Sequence, residues 1–264
     1  MKTLAYLLFL GTLCASLLPA QWTRERQEEF LRTAEVIKIK ELSVGITNSS
    51  RATLSDGTST HDAHVQTVDE RKLSHQTGRG TELNFRDSYK FNIAAARLDQ
   101  LIGLNMVPPS VERKERGAAG AWTWWVDDVL MMEVERYKKK ITPPDQQGWN
   151  RQMFRARVFN ELVYNTDANL QNIVIDNDWR IWLIDFTRAF RVQKKLRAPK
   201  NLTKVDRKLL ASLEALTDEA LTQELGELLT KNELKGISAR RDLILEAFRE
   251  KIAKQGEQAV LYDL

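Results

Sequence analysis

Three residues with oxygen-bearing side chains stand at set intervals near the middle of this 264-residue chain: Asp167, Asn172 five positions later, and Asp185 thirteen further on. Carboxylate and amide oxygens are hard donors that suit a cation such as Mg²⁺, and a carboxylate beside a hydroxyl can orient it and take its proton. Together these are the needs of phosphoryl transfer, in which positioning and neutralisation of phosphate charge do most of the catalysis. Each residue taken alone reads as a turn former, because Asp and Asn side chains bond nearby backbone. The two spacings taken together carry the chemical reading.

Those spacings have meaning only if the intervening chain folds the three residues back on one another. Residues 173–176 and 181–184 read as two short apolar strands joined by a turn at Asn177-Asp178, which brings Asn172 close to Asp185. Upstream, Phe154, Val158 and Leu162, with Phe159 and Val163 beside them, form an apolar stripe at helical spacing that delivers Asp167 to the same place. A helix, an Asp, a loop Asn, a hairpin and an Asp, in this order, resemble the catalytic and metal loops of the protein-kinase-like superfamily. The missing His-Arg before Asp167, and Asp185-Phe186-Thr187 in place of Asp-Phe-Gly, look more like its atypical branch. That branch includes phosphatidylinositol kinases, HipA-type kinases and the kinases of the secretory pathway. The resemblance implies ATP and Mg²⁺ as cofactors, Asp167 as the base or hydroxyl-orienting residue, Asn169 as support for its loop, and Asn172 and Asp185 as metal ligands.

By the same resemblance the first half of the chain is a small, strand-rich lobe. Residues 34–42 alternate as a strand would, a small polar loop spans 44–50, and a second strand, 51–54, ends at the turn Ser55-Asp56-Gly57. Such a loop holds nucleotide phosphates in kinases, here through backbone N–H groups and the hydroxyls of Thr47, Ser49 and Ser50, with an ordinary hairpin loop as the alternative. The third strand, 61–68, lacks the lysine that kinases set against the phosphates, and Gln66 matches its position. A helix is expected from Phe85 to Gly103, with Phe91, Ala94, Ala95, Leu98, Leu101 and Ile102 at helical spacing, and Asn92 matches the glutamate that partners the lysine. Both members of the usual ion pair are then neutral, which is coherent, because one buried charge without its partner is costly. Lys72 and Lys90 stay open as substitute cations. His61 and His64, three apart on a strand, face opposite sides, and with His75 in a polar stretch they make no metal site.

Residues 69–81 read as a polar, mobile connector. Residues 110–115 and 121–126 read as a hairpin around 117–120 that leads into a hinge at 126–129, where Val126 is the expected contact for adenine. After Phe190 three apolar stripes predict helices. They are Val205, Leu209, Leu213 and Leu216, then Leu221, Leu225, Leu228 and Leu229, then Leu243, Ile244, Phe248 and Ile252 with Ser238 as N-cap.

Lys2, the apolar run 4–18 and Leu18-Pro19-Ala20 read as a signal peptide over 1–20, so an exported, bacterial-type product, secreted or periplasmic, is expected. Cys14, the one cysteine, falls inside that run and leaves the mature chain without disulfide or thiolate chemistry. The full sequence's 40 basic and 36 acidic residues are mixed along the chain and point away from nucleic acid, and no later stretch is apolar enough to span a bilayer. His-Glu-x-x-His and Gly-x-Ser-x-Gly are absent, which removes the common hydrolase readings. The expectation is an α+β, two-lobed kinase-like fold, with a sheet-rich N-lobe over 21–130 and a reduced helical C-lobe over 131–264. Its expected activity is transfer of the ATP γ-phosphate to a hydroxyl acceptor, whether protein, sugar, lipid or small molecule. A pseudokinase that binds or scaffolds without turnover is the alternative: Gln66 and Asn92 favour it, whereas the intact Asp167, Asn172 and Asp185 favour the enzyme.

Overall fold

A computed structural model describes residues 22–42, 49–77 and 80–264. The expected signal peptide, and Thr47 of the expected phosphate loop, lie outside the described residues. The first described element is α1 (Arg24–Thr33), capped by Thr23, whose Oγ1 accepts the Arg26 N–H at 3.3 Å. After it come β1 (Glu35–Glu41), β2 (Ser49–Ser55), β3 (Thr60–Gln66), β4 (Asp69–Thr77), β5 (Gly80–Ser88), α2 (Lys90–Leu101), β6 (Ser110–Glu115) and β7 (Ala118–Trp124).

Five of these strands form one antiparallel sheet in the order β1-β2-β3-β7-β6. Alternation along each strand sorts its side chains onto two faces. Ala52, Leu54, Ala63, Val65 and Trp122 pack with Phe30 and Leu31 of α1 in a core of their own. The residues between them, Arg51, Asp62, His64 and Gln66, are left for the opposite face. His61 does fall on the other side from His64, stacked on Trp124 with ring centroids 3.5 Å apart.

The second lobe holds β8 (Val129–Met132), α3 (Glu133–Lys139), α4 (Gln146–Leu162), β9 (Ile173–Asp176), β10 (Ile181–Leu183), β11 (Val205–Asp206), α5 (Arg207–Ala215), α6 (Asp218–Leu225), α7 (Lys231–Gln255), α8 (Glu257–Val260) and β12 (Leu261–Tyr262). The β9–β10 hairpin forms as the apolar runs predict, and β8 pairs with the free edge of β9. Val158, Phe159 and Leu162 of α4 meet Ile175, Ile181, Leu183, Leu213, Leu225, Ile244 and Phe248 in a larger core. Phe91, Ile93 and Leu98 of α2 sit in that same core, so α2 packs both on β6 and β7 of the small lobe and on the large lobe. The architecture is α+β with two lobes.

The stretch 69–81 is not the expected connector: its described residues, 69–77 and 80–81, lie in a separate ribbon in which β4 pairs antiparallel with β5, from Asp69 opposite Ser88 to Thr77 opposite Gly80. Charge hides this ribbon from a hydropathy pattern, because ion pairs hold it instead of an apolar face. Arg86 meets Glu233 of α7 at 2.7 Å, Glu82 meets Arg191 at 2.7 Å, and Asp87 meets Arg188 at 2.8 Å. Phe85 is consequently a strand residue, and the helix expected from it begins at Lys90. The last long helix likewise begins at Lys231 rather than after Ser238. A capping box of Thr230 and Glu233 starts it, and the Ser238 hydroxyl donates to the Leu234 carbonyl at 3.3 Å inside it. Val205, counted in a helical stripe, belongs instead to a short parallel pair with β12. Among the described residues no helix is long and apolar enough to cross a membrane.

Candidate active site

The site starts where α4 ends. Tyr164 adopts φ 46°, a left-handed turn that stops the helix, and Asn165 then bonds the Asp167 N–H through its Oδ1 at 3.0 Å. Thr166 ties this loop to the segment after Asp185, because its N–H and hydroxyl both donate to the Arg188 carbonyl, at 3.3 and 2.8 Å. A second bond, from the Phe190 N–H to the Val163 carbonyl at 2.6 Å, completes the join. Asn169 Nδ2 donates to Asp167 Oδ1 at 3.0 Å and to the Asp167 carbonyl at 3.1 Å. Asn172 Nδ2 donates to the same carbonyl at 3.0 Å. The Asn172 carbonyl in turn accepts the Ile184 N–H at 3.0 Å, so the return strand of the hairpin sets Asp185 beside Asn172.

Asp185 itself has φ 57°, a left-handed conformation that costs a non-glycine residue on the order of 1 to 3 kcal/mol and turns it out of the line of β10. Its Oδ1 accepts from Thr187 Oγ1 at 3.2 Å and from Gln66 Nε2 at 3.4 Å. Gln66 Oε1 accepts from Asn92 Nδ2 at 2.5 Å, and Asn92 Oδ1 accepts the Phe186 N–H at 2.7 Å. A buried pair of neutral amides thus links β3, α2 and the residues at Asp185. Ser49 lies opposite Gln66 in the β2–β3 ladder, and Ser49 and Ser50 are strand residues, not loop residues. Lys72 is paired with Glu70 at 2.7 Å, and Lys90 makes no ion pair among the described residues. Val126 follows β7 half-buried, and its backbone N–H and carbonyl have no partner among the described residues.

Several residues at the site escaped the sequence reading. His64 faces Asp185; burial holds its imidazole below the usual range, and the Asp185 charge pulls the other way. Arg188 donates through Nε to Asp87 Oδ2 at 2.8 Å. Burial opposes its charge, but the hydrogen bond and charge of Asp87, with the charges of Asp167 and Asp185, outweigh burial and raise its pKa. Arg240 of α7 is fully buried, donating to the Leu162 carbonyl at 2.8 Å, to the Arg191 carbonyl at 2.9 Å and to the Gln193 carbonyl. Burial pushes its pKa down to about 10. A signal for Arg240 was present in Gly236, one turn earlier, where a Cβ would lie 2.8 Å from Arg240 Nη1 and 3.0 Å from the Arg191 carbonyl oxygen. No local signal marks Arg188, whose anchor Asp87 is distant in sequence.

Among the described residues no three His, Cys, Asp or Glu side chains gather as metal ligands. Asn172 and Asp185 bring two hard oxygen donors, a set that fits a cation that keeps phosphate and water ligands, as Mg²⁺ does. A cavity of about 280 Å³ opens beside the loop, walled by residues that include Asn160, Glu161, Asn169, Asn172 and Arg197. It lies wholly within the second lobe, apart from Gln66 and Asn92.

Among solved structures the chain is similar to Fam20 of hydra solved with sugar, at a TM-score of 0.66 and 14% identity over 89% of this chain and 91% of that one. It is similar to the Golgi casein kinase with Mn and ADP bound, at 0.63 and 12% over 91% of this chain and 80% of that one. It is also similar to the Helicobacter pylori proinflammatory kinase CtkA, at 0.54 and 9% over 85% of this chain and 98% of that one. No protein-family model and no curated protein sequence matches it. The chain therefore has an atypical protein-kinase-like fold.

Proposed function

We propose that this protein is an exported kinase-like phosphotransferase that binds ATP with a divalent cation between its lobes and passes the γ-phosphoryl group to a hydroxyl acceptor. The observation that carries the reading is the convergence of Asp167, Asn172 and Asp185 on one loop-and-hairpin unit, joined through Gln66 and Asn92 to β3 and α2. Asn172 Oδ1 and the Asp185 carboxylate hold the cation, which when bound neutralises phosphate charge. Asp167 orients the acceptor hydroxyl and receives its proton, while Asn169, bonded to Asp167 Oδ1, fixes the carboxylate and leaves Oδ2 for the acceptor. The free backbone groups of Val126 suit the edge of adenine. The leader-like segment 1–20 supports export.

A catalytically silent binding domain is the second reading, favoured by the uncharged Gln66–Asn92 pair. Calorimetric titration of nucleotide into the purified chain, with and without Mg²⁺ or Mn²⁺, tests both. Asp185→Ala is expected to abolish metal-dependent binding. Gln66→Ala takes from the nucleotide about one ordinary hydrogen bond, worth roughly 0.5 to 1.5 kcal/mol, and should weaken binding about tenfold or less. Equal effects of the two substitutions would overturn the assigned roles. Binding without transfer to any hydroxyl acceptor offered would favour the silent domain.

A further inference from the structure

Phosphoryl transfer needs positive charge against the phosphate oxygens, and where kinases supply it from a strand lysine this protein has the neutral Gln66. The geometry around Asp185 contains a different cation. Arg188 follows Asp185 by three residues, and its backbone carbonyl is held by Thr166, the residue before Asp167. Its Nε is tied to Asp87, a carboxylate 3% exposed on β5. Fixing Nε fixes the plane of the guanidinium, and the two terminal nitrogens then present a fork suited to two oxygens of one phosphate. Neither terminal nitrogen has a hydrogen-bond partner among the described residues, and the side chain is 28% exposed. Its pKa is raised against burial chiefly by the hydrogen bond and charge of Asp87, and the charges of Asp167 and Asp185, the two carboxylates between which the transferred group must lie, add to that pull.

We propose that Arg188 is the phosphate-neutralising residue of this site, an arginine from within the chain that grips the γ-phosphoryl oxygens and brings to the phosphates a positive charge that the neutral Gln66 does not supply. The proposal rests on the phosphotransferase reading above. In the transfer, the acceptor oxygen bonds to the γ-phosphorus as the bond to the β–γ bridging oxygen breaks, the hydroxyl proton passes to Asp167, and ADP leaves with the bonding electron pair. Arg188 forms no covalent bond; it meets charge that grows on the oxygens of the moving group. Asp87 acts through Arg188 as a positioning residue. Its second oxygen, Oδ1, is buried without a partner, so it is spent on no other contact among the described residues.

A residue that touches only the γ-phosphate separates ATP from ADP. In Arg188→Gln, calorimetric affinity for the Mg²⁺ complex of a non-hydrolysable ATP analogue should fall about tenfold or more, while affinity for Mg²⁺-ADP stays within about twofold. Arg188→Lys, which keeps the charge and loses the fork, should fall between. Because Arg188→Gln leaves Asp87 buried without its cation, Asp87→Asn with Arg188→Gln provides a folded control with neither charge, and it should show the same ATP-over-ADP loss. Added guanidinium ion should restore part of the analogue affinity in Arg188→Ala. Equal loss for both nucleotides, or no loss in either, overturns the role of Arg188 while leaving the phosphotransferase reading intact. Failure of the wild-type chain to bind either nucleotide with Mg²⁺ or Mn²⁺ overturns both.

Discussion

On the proposed reading, Gln66 and Asn92 are the residues at which the site departs most from a kinase, and the departure is chemically consistent. Each amide serves the other and the chain around it: Asn92 donates to Gln66 at 2.5 Å and accepts from Phe186 N–H at 2.7 Å. A lysine at 66 alone would bring a charge among groups 2% and 5% exposed, and a glutamate at 92 alone would do the same. Restoring both, as Gln66→Lys with Asn92→Glu, supplies each charge with its partner. The double variant is expected to bind Mg²⁺-ATP about tenfold more tightly than wild type or to transfer phosphate faster, and either single variant should gain less or lose. Titration of the three variants side by side checks this. A double variant worse than both singles would mean that these positions do not correspond to the lysine and glutamate.

At the scale of elements, what the sequence made legible depended on how each element is held. The β9–β10 hairpin was readable because Ile173, Ile175, Ile181 and Leu183 are buried and leave an apolar run on each side of a turn. Asp167, Asn172 and Asp185 were readable for a related reason, since local spacing and one hairpin bring them together. The β4–β5 ribbon was not readable, because its contacts are charges whose partners lie far along the chain. Arg188 was missed with it, and Arg240 was missed because a buried arginine on a helix looks in sequence like a surface one. Glu233 shows how much rests on such contacts: it pairs with Arg86 at 2.7 Å and its Oε2 accepts the Thr230 N–H at 2.7 Å to cap α7. Glu233→Ala removes both and strands a largely buried guanidinium, so stability should fall by about 3 kcal/mol. Chemical denaturation of wild type and variant reads this directly; a change under about 1 kcal/mol would show that the ribbon is held by other means.

For the molecule as a whole, one buried carboxylate sets a pH dependence. Asp99 lies fully buried at the end of α2 and accepts the N–H groups of Met106 and Val107 at 2.7 and 3.0 Å, with Arg24 of α1 at 3.7 Å and the charge of Arg155 of α4 acting on it. Burial raises its pKa from 3.8 to about 6 against the opposing pull of those partners. An acid held more tightly protonated in the folded state stabilises the fold most below its unfolded pKa, and that contribution is lost as pH rises through about 6. Asp99→Asn keeps an acceptor for both N–H groups and removes the titration. Relative to this variant, wild type should lose on the order of 1 to 3 kcal/mol between pH 4 and 7 in denaturation measurements; parallel curves would exclude it. The link between β3 and α2 has the opposite character, since two amides carry it. Added salt weakens an exposed or half-exposed ion pair within a Debye length of about 10 Å at 0.1 M, but gives an amide pair nothing to screen, and no proton leaves or joins it at any pH the fold survives. The Gln66–Asn92 link is therefore indifferent to the ionic composition of its surroundings, and whatever salt sensitivity nucleotide binding has must enter through the phosphates, the cation and the Arg188–Asp87 pair.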